Sequence, residues 1–160
     1  MRTTNKLFTI VCIGLVLAAV VPAQQRRKKR TPMTKQPQVE YLSSQRPRPA
    51  PFSDAVRVGN MLYLSGKLGT DSSGLVAGGI KAETKQTLEN IGALLERSGS
   101  SFDQVVKCTV MLADMGEWGA MNEVYVTFFP KDRLPARSAF GVSGLALNAR
   151  VEIECIATVR

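Results

Sequence analysis

Residues 82–112 read AETKQTLENIGALLERSGSSFDQVVKCTVML, and within them the spacing of apolar side chains changes from the period of a helix to that of a strand. Leu88, Ile91, Leu94 and Leu95 recur at three- and four-residue steps, which puts them on one face of a helix over residues 82–98. Glu83, Lys85, Glu89 and Glu96 fall mostly elsewhere on it. Gly99 follows where a helix usually ends in a left-handed residue. From residue 105 the period is two: Val106, Cys108, Val110 and Leu112 alternate with Val105, Lys107, Thr109 and Met111, predicting a strand over 105–112.

Working outward, the same punctuation repeats. Upstream, Ala55–Val58 and Met61–Ser65 flank Gly59-Asn60, a pair that tolerates the positive φ of a two-residue hairpin turn. Asp71-Ser72-Ser73-Gly74 predicts a turn and Gly78-Gly79 another break. Downstream, Trp118, Met121, Tyr125 and Phe128 predict a second helix over 117–129, stopped by Pro130. Strands are expected over 138–142 and 150–159, the latter with Val151, Ile153, Cys155 and Ala157 opposite Glu152, Glu154 and Ile156. The order β-β-α-β-α-β-β gives an α+β fold, two crossover helices against one mixed sheet. Two helices cover one face of such a sheet. The other face keeps apolar residues, which predicts an oligomer.

Composition narrows the chemistry. The 160-residue chain contains no histidine, which removes the usual zinc sets and every histidine-based nucleophile arrangement. No metal and no cofactor are expected. Any acid or base must be a carboxylate, lysine, tyrosine, cysteine or ordered water. The net charge of +8 divides into +2 over residues 1–23, +7 over 24–49 and −1 over 50–160. A nucleic-acid partner is not expected, because the basicity lies outside the domain. Of three cysteines, Cys12 lies in an apolar leader, and Cys108 and Cys155 read as small buried hydrophobes rather than a disulfide framework.

Residues 1–23 have a basic start, a run from Leu7 to Val21 and a small residue at Ala23, the layout of a secretory signal. Export to the periplasm or outside is expected. The cluster Arg26 to Arg30 straight after it favours the alternative of an uncleaved membrane anchor, and the same basic residues suit contact with an anionic membrane surface. Residues 24–49 read as a basic, Pro- and Gln-rich disordered linker, with Val39–Leu42 as a short edge strand, and the main domain spans 50–160.

Several pieces of that domain carry a resemblance: residues 59–66 (GNMLYLSG), 78–80 (GGI) with 84–91 (TKQTLENI), 134–138 (LPARS) and 151–157 (VEIECIA), with Asn122 and Tyr125 before Phe128-Phe129. Their order and spacing resemble the Rid, or YjgF-type, reactive intermediate deaminase family. The resemblance implies a chorismate-mutase-like fold and a homotrimer whose sheets form a central β-barrel, with clefts between subunits. It implies hydrolysis of 2-imino acids or enamines, of the 2-iminobutanoate and 2-iminopropanoate type, to 2-keto acids and ammonia without metal or cofactor. Arg137 matches the arginine that binds the substrate carboxylate, a task suited to a planar guanidinium. Glu152 matches the glutamate that positions or activates water. Phe52, Ser65, Gly66, Asn122 and Ser138 match cleft positions. Two residues depart from the pattern: Phe52 stands where Tyr is common, losing a hydroxyl, and Ala139 where Cys is common. The competing expectation is a non-enzymatic trimeric binder of small carboxylates or 2-keto acids, which needs Arg137 and not Glu152.

Overall fold

The computed structural model describes residues 36–43 and 50–159. The leader, the basic cluster at 26–30 and most of the expected linker lie outside the described residues. One mixed sheet carries the described fold. Its strands are β1 (Val39–Leu42), β2 (Ala55–Val58), β3 (Met61–Leu64), β4 (Lys67–Leu68), β7 (Val105–Leu112), β8 (Ala136–Gly141) and β9 (Val151–Thr158). The order across the sheet is β1-β2-β3-β9-β7-β8, with β4 also on β9. Two short strands, β5 (Thr70–Asp71) and β6 (Gly74–Leu75), pair separately. β1 is the edge strand expected at Val39–Leu42, so part of the stretch read as linker is built into the sheet, in register with β2.

Helix α1 (Gly79–Arg97) starts three residues before the expected Ala82, and Gly99 takes the predicted left-handed φ of 75°. Helix α2 (Trp118–Tyr125) is shorter than the expected span of 117–129. Beyond Tyr125 the chain tightens: Thr127 N bonds Val124 O and Phe128 N bonds Tyr125 O, while the Thr127 hydroxyl also donates to Val124 O. Two β-branched residues, Val126 and Thr127, thus end the regular helix before Pro130 does.

Alternation decides which side of the sheet is dry. Val151, Ile153, Cys155 and Ala157 of β9, with Cys108, Val110 and Leu112 of β7, are at most 1% exposed and join Leu88, Ile91 and Leu95 of α1 and Met121 of α2 in one core. Glu83 was expected off this face. It is 4% exposed instead, because its Oε2 accepts the Arg150 backbone N–H at 2.7 Å and so anchors the start of β9. The opposite face has no helix among the described residues. Tyr41, Tyr63 and Phe140 stand on it, and each remains at least 45% exposed.

The reading of Cys108 and Cys155 as mere buried hydrophobes is corrected. They face each other in the β7/β9 register and form a disulfide inside the core. Spacing in sequence carries no trace of this, since the bond depends on a register set across 47 residues.

Candidate active site

The strands distribute the expected site residues over two separate half-sites. The first lies where β3 gives way to β4. Tyr63 pairs with Ile156 of β9 and Lys67 with Ile153, so the ladder shifts by one residue across Ser65-Gly66. That irregularity leaves the chain open beside Glu152. A Cβ on residue 66 would fall 1.9 Å from Glu152 Oε1, so only glycine lets the carboxylate lie over the backbone there. Ser65 fixes the neighbouring loop: its hydroxyl donates to Ser53 O at 2.7 Å and its N–H to Asp54 O at 3.0 Å. Phe52, next in that loop, is 54% exposed. Phe52 and Gly66 share the wall of a cleft of about 450 Å³ with Lys67 and Asn90. Gly66 thus touches Glu152 on one side and shares a cleft wall with Phe52 on the other, with Ser65 tied to the loop that carries Phe52.

The second half-site lies at the other edge of the sheet. Arg137 on β8 is in register with Cys108 of β7, which faces the helices, so its side chain rises toward α2. There it meets three residues at i, i+4 and i+7. Asn122 Oδ1 accepts from Arg137 Nη1 at 2.6 Å, the Tyr125 ring lies 4.7 Å from the guanidinium carbon and the Trp118 ring 5.9 Å. Aromatic faces attract a cation and limit its rotation. No carboxylate among the described residues pairs with Arg137. Trp118 and Tyr125 were read from sequence as apolar helix positions. The Trp118–Asn122–Tyr125 spacing held the signal that they bracket Arg137.

Ser138 does not join Arg137. As the next residue on a strand it faces the other side of the sheet, where its hydroxyl accepts from Lys107 Nζ at 2.7 Å. Glu152 is also on that open side, in register with Met111 of β7. Because 108 and 111 have opposite parity on β7, Arg137 and Glu152 point to opposite faces of the sheet, with β7 between their strands.

Burial pushes the Tyr125 phenol up from 10.0 to about 12, and the nearby Arg137 charge offsets part of that rise. Its hydroxyl is buried without a hydrogen-bond partner among the described residues. The stability this group contributes is complete below pH 10 and lost as pH rises toward 12. Tyr125→Phe keeps the ring under Arg137 and removes an orphaned polar atom. Its melting temperature is expected to equal or exceed the wild type's at pH 7, and the gap to widen above pH 10. Thermal unfolding at the two pH values checks this.

Comparison with known proteins agrees with this architecture. The family model described as Endoribonuclease L-PSP matches residues 43–159. The chain belongs to that family. A mouse 2-iminobutanoate/2-iminopropanoate deaminase is 50% identical over 109 residues, covering 67% of this chain and 80% of the mouse protein. The human protein of the same description is 46% identical, with coverage of 67% and 79%. Among solved structures, RidA from an Antarctic Psychrobacter superposes with a TM-score of 0.66 at 35% identity, over 79% of this chain and all of that one. Yeast Mmf1 gives 0.71 at 34%, over 77% and 100%. The Rid-type resemblance of the motifs is thus matched by the whole domain, and the family fold accounts for the mixed sheet with two helices.

Proposed function

We propose that this chain is a 2-imino acid deaminase that works as a homotrimer, with each active site assembled from two subunits. The observation that carries the reading is Arg137: a partly buried guanidinium, held by Asn122 and two aromatic rings, with no carboxylate of its own among the described residues. That is a preformed receptor for a substrate carboxylate, and its rigidity lowers the entropic cost of binding. The names of the mouse and human relatives supply the reaction class.

In the reaction, Arg137 grips the carboxylate by parallel N–H donors. A water held by Glu152 adds to the iminium carbon, and its proton passes to the carboxylate of Glu152. Protonated Glu152 returns that proton to the nitrogen of the tetrahedral carbinolamine. The C–N bond then breaks to release ammonia while the hydroxyl gives up its proton to the Glu152 carboxylate or to water, leaving the 2-keto acid. The iminium carbon is already electrophilic, so alignment of water and carbon supplies most of what is needed. Ser65 and Gly66 shape the pocket wall under Glu152, and Phe52 closes one side.

Arg137 and Glu152 lie on opposite faces of one sheet, so a small substrate cannot touch both within a subunit. A neighbouring copy docked on the open face resolves this by bringing its own Arg137 to this chain's Glu152. The exposed Tyr41, Tyr63 and Phe140 give that face the apolar surface that three sheets closing into a barrel would bury. The family's ribonuclease label draws no support from residues 50–160, whose net charge is −1.

The test generates 2-iminobutanoate with an amino-acid oxidase in the presence of semicarbazide. Added protein is expected to suppress semicarbazone formation in proportion to its concentration, and to leave RNA intact. Unchanged trapping would sink the enzyme reading and favour a carboxylate binder.

A further inference from the structure

The Cys108–Cys155 disulfide bears on where this chain works. Both cysteines are at most 1% exposed, in mid-strand, on the helix-covered side of the sheet. A bond placed there has to form while β7 and β9 are still accessible, before α1 and α2 cover them. Cytoplasmic thiols are held reduced, so such a bond belongs to a chain that completes its folding in an oxidising compartment. Residues 1–23, basic then apolar then small, independently have the layout of a secretory signal for such a compartment. Two unrelated features thus agree on one side of the membrane.

We propose that this chain is exported and cross-linked between Cys108 and Cys155 outside the cytoplasm, and that its imines arise there by oxidation of amino acids at the α-carbon. The cross-link forms by thiol–disulfide exchange: one thiolate attacks a disulfide-donor protein, the second cysteine resolves the mixed disulfide, and the donor leaves as a dithiol carrying the two electrons. The supply step rests on the deaminase reading above. Imino acids hydrolyse by themselves in water, so a catalyst for their removal has use only where they are made. Outside the cytoplasm the fitting source is a dehydrogenase or oxidase that takes a hydride and a proton from the amino acid, passes two electrons to oxygen or a membrane quinone, and releases the 2-imino acid. Such a source makes imines from amino acids of many sizes, whereas dehydration of serine and threonine yields only three- and four-carbon imines.

The full chain, leader included, is to be expressed in a bacterium with an oxidising periplasm, fractionated, and alkylated under denaturing, non-reducing conditions before peptide mapping. The expected result is recovery from the periplasmic or membrane-outer fraction with Cys108 and Cys155 unlabelled, both becoming labelled in a strain lacking the periplasmic disulfide donor. Recovery in the cytoplasm, or free thiols at both positions in the normal strain, would overturn the export half. These readouts do not use activity, so they stand or fall apart from the deaminase reading. For the supply half, oxidase-generated imines of leucine and methionine are to be compared with 2-iminobutanoate. Rates within about tenfold of one another are expected. Activity confined to the three- and four-carbon imines overturns it.

Discussion

Replacing Arg137 by alanine is expected to cut kcat/KM for 2-iminobutanoate by roughly 30-fold to several thousand-fold, the range for losing one partner of a desolvated charge pair. Most of the loss should appear in KM. In the proposed mechanism the guanidinium holds the same carboxylate in the ground state and in the transition state, so its contribution is largely uniform binding. Arg137→Lys keeps the charge and loses the fork and the stacking on Tyr125 and Trp118, and should recover only part of the loss. Folding should tolerate both changes, because Arg137 sits at the sheet edge and has no ion pair to orphan among the described residues. Steady-state kinetics beside a thermal melt separates the two effects. A normal KM in Arg137→Ala would remove the carboxylate receptor from the account.

Gly66→Ala is the second large effect. The new Cβ would lie 1.9 Å from Glu152 Oε1, so the carboxylate has to swing away. A shift of about an ångström at the group proposed to hold the attacking water is expected to cost on the order of 100-fold in kcat. Glu152→Gln should cost at least as much, and the double variant little more than the larger single, since both act on one group. Gly69→Ala offers the contrast. There the Cβ would lie 2.5 Å from the Glu83 backbone oxygen, in the packing of α1 on the strand. A helix backbone cannot step aside as a side-chain tip can, so that variant should lose thermal stability before it loses chemistry. Equal losses of stability in both variants would contradict the assignment of Gly66 to the site.

The fold was legible where periodicity and punctuation coincide. The Gly59-Asn60 hairpin, the strand over 105–112 and the alternation of Val151, Ile153, Cys155 and Ala157 against Glu152 and Glu154 all follow from local spacing, except that a bulge at Val105–Lys107 buries Val105 and turns Val106 outward, the reverse of the simple alternation. Two of the failures share a cause: they depend on register between distant segments. Glu83 is buried because a backbone N–H at residue 150 needs an acceptor. Cys108 meets Cys155 because β7 and β9 align them. The end of α2 was misjudged because Pro130 was the louder signal, although Val126 and Thr127 act first. At the site, motif resemblance named Arg137 and Glu152, and alternation placed Glu152 on the open face. That Arg137 takes the other face follows only from its parallel register with Cys108. Ser138 was matched to a cleft position by resemblance, and as the next residue on the strand its hydroxyl stands on the face opposite Arg137.

Opposed faces make the shared site the central claim, and subunit mixing tests it most directly. Arg137→Ala and Glu152→Gln chains, each strongly impaired alone when assayed at low substrate, are to be unfolded, mixed in equal amounts and refolded together, with mixed trimers verified by native mass spectrometry. If each cleft takes its arginine from one subunit and its glutamate from the next, about a quarter of the clefts regain both residues, and about a quarter of the wild-type activity should return. Verified mixed trimers with no recovered activity would contradict the account.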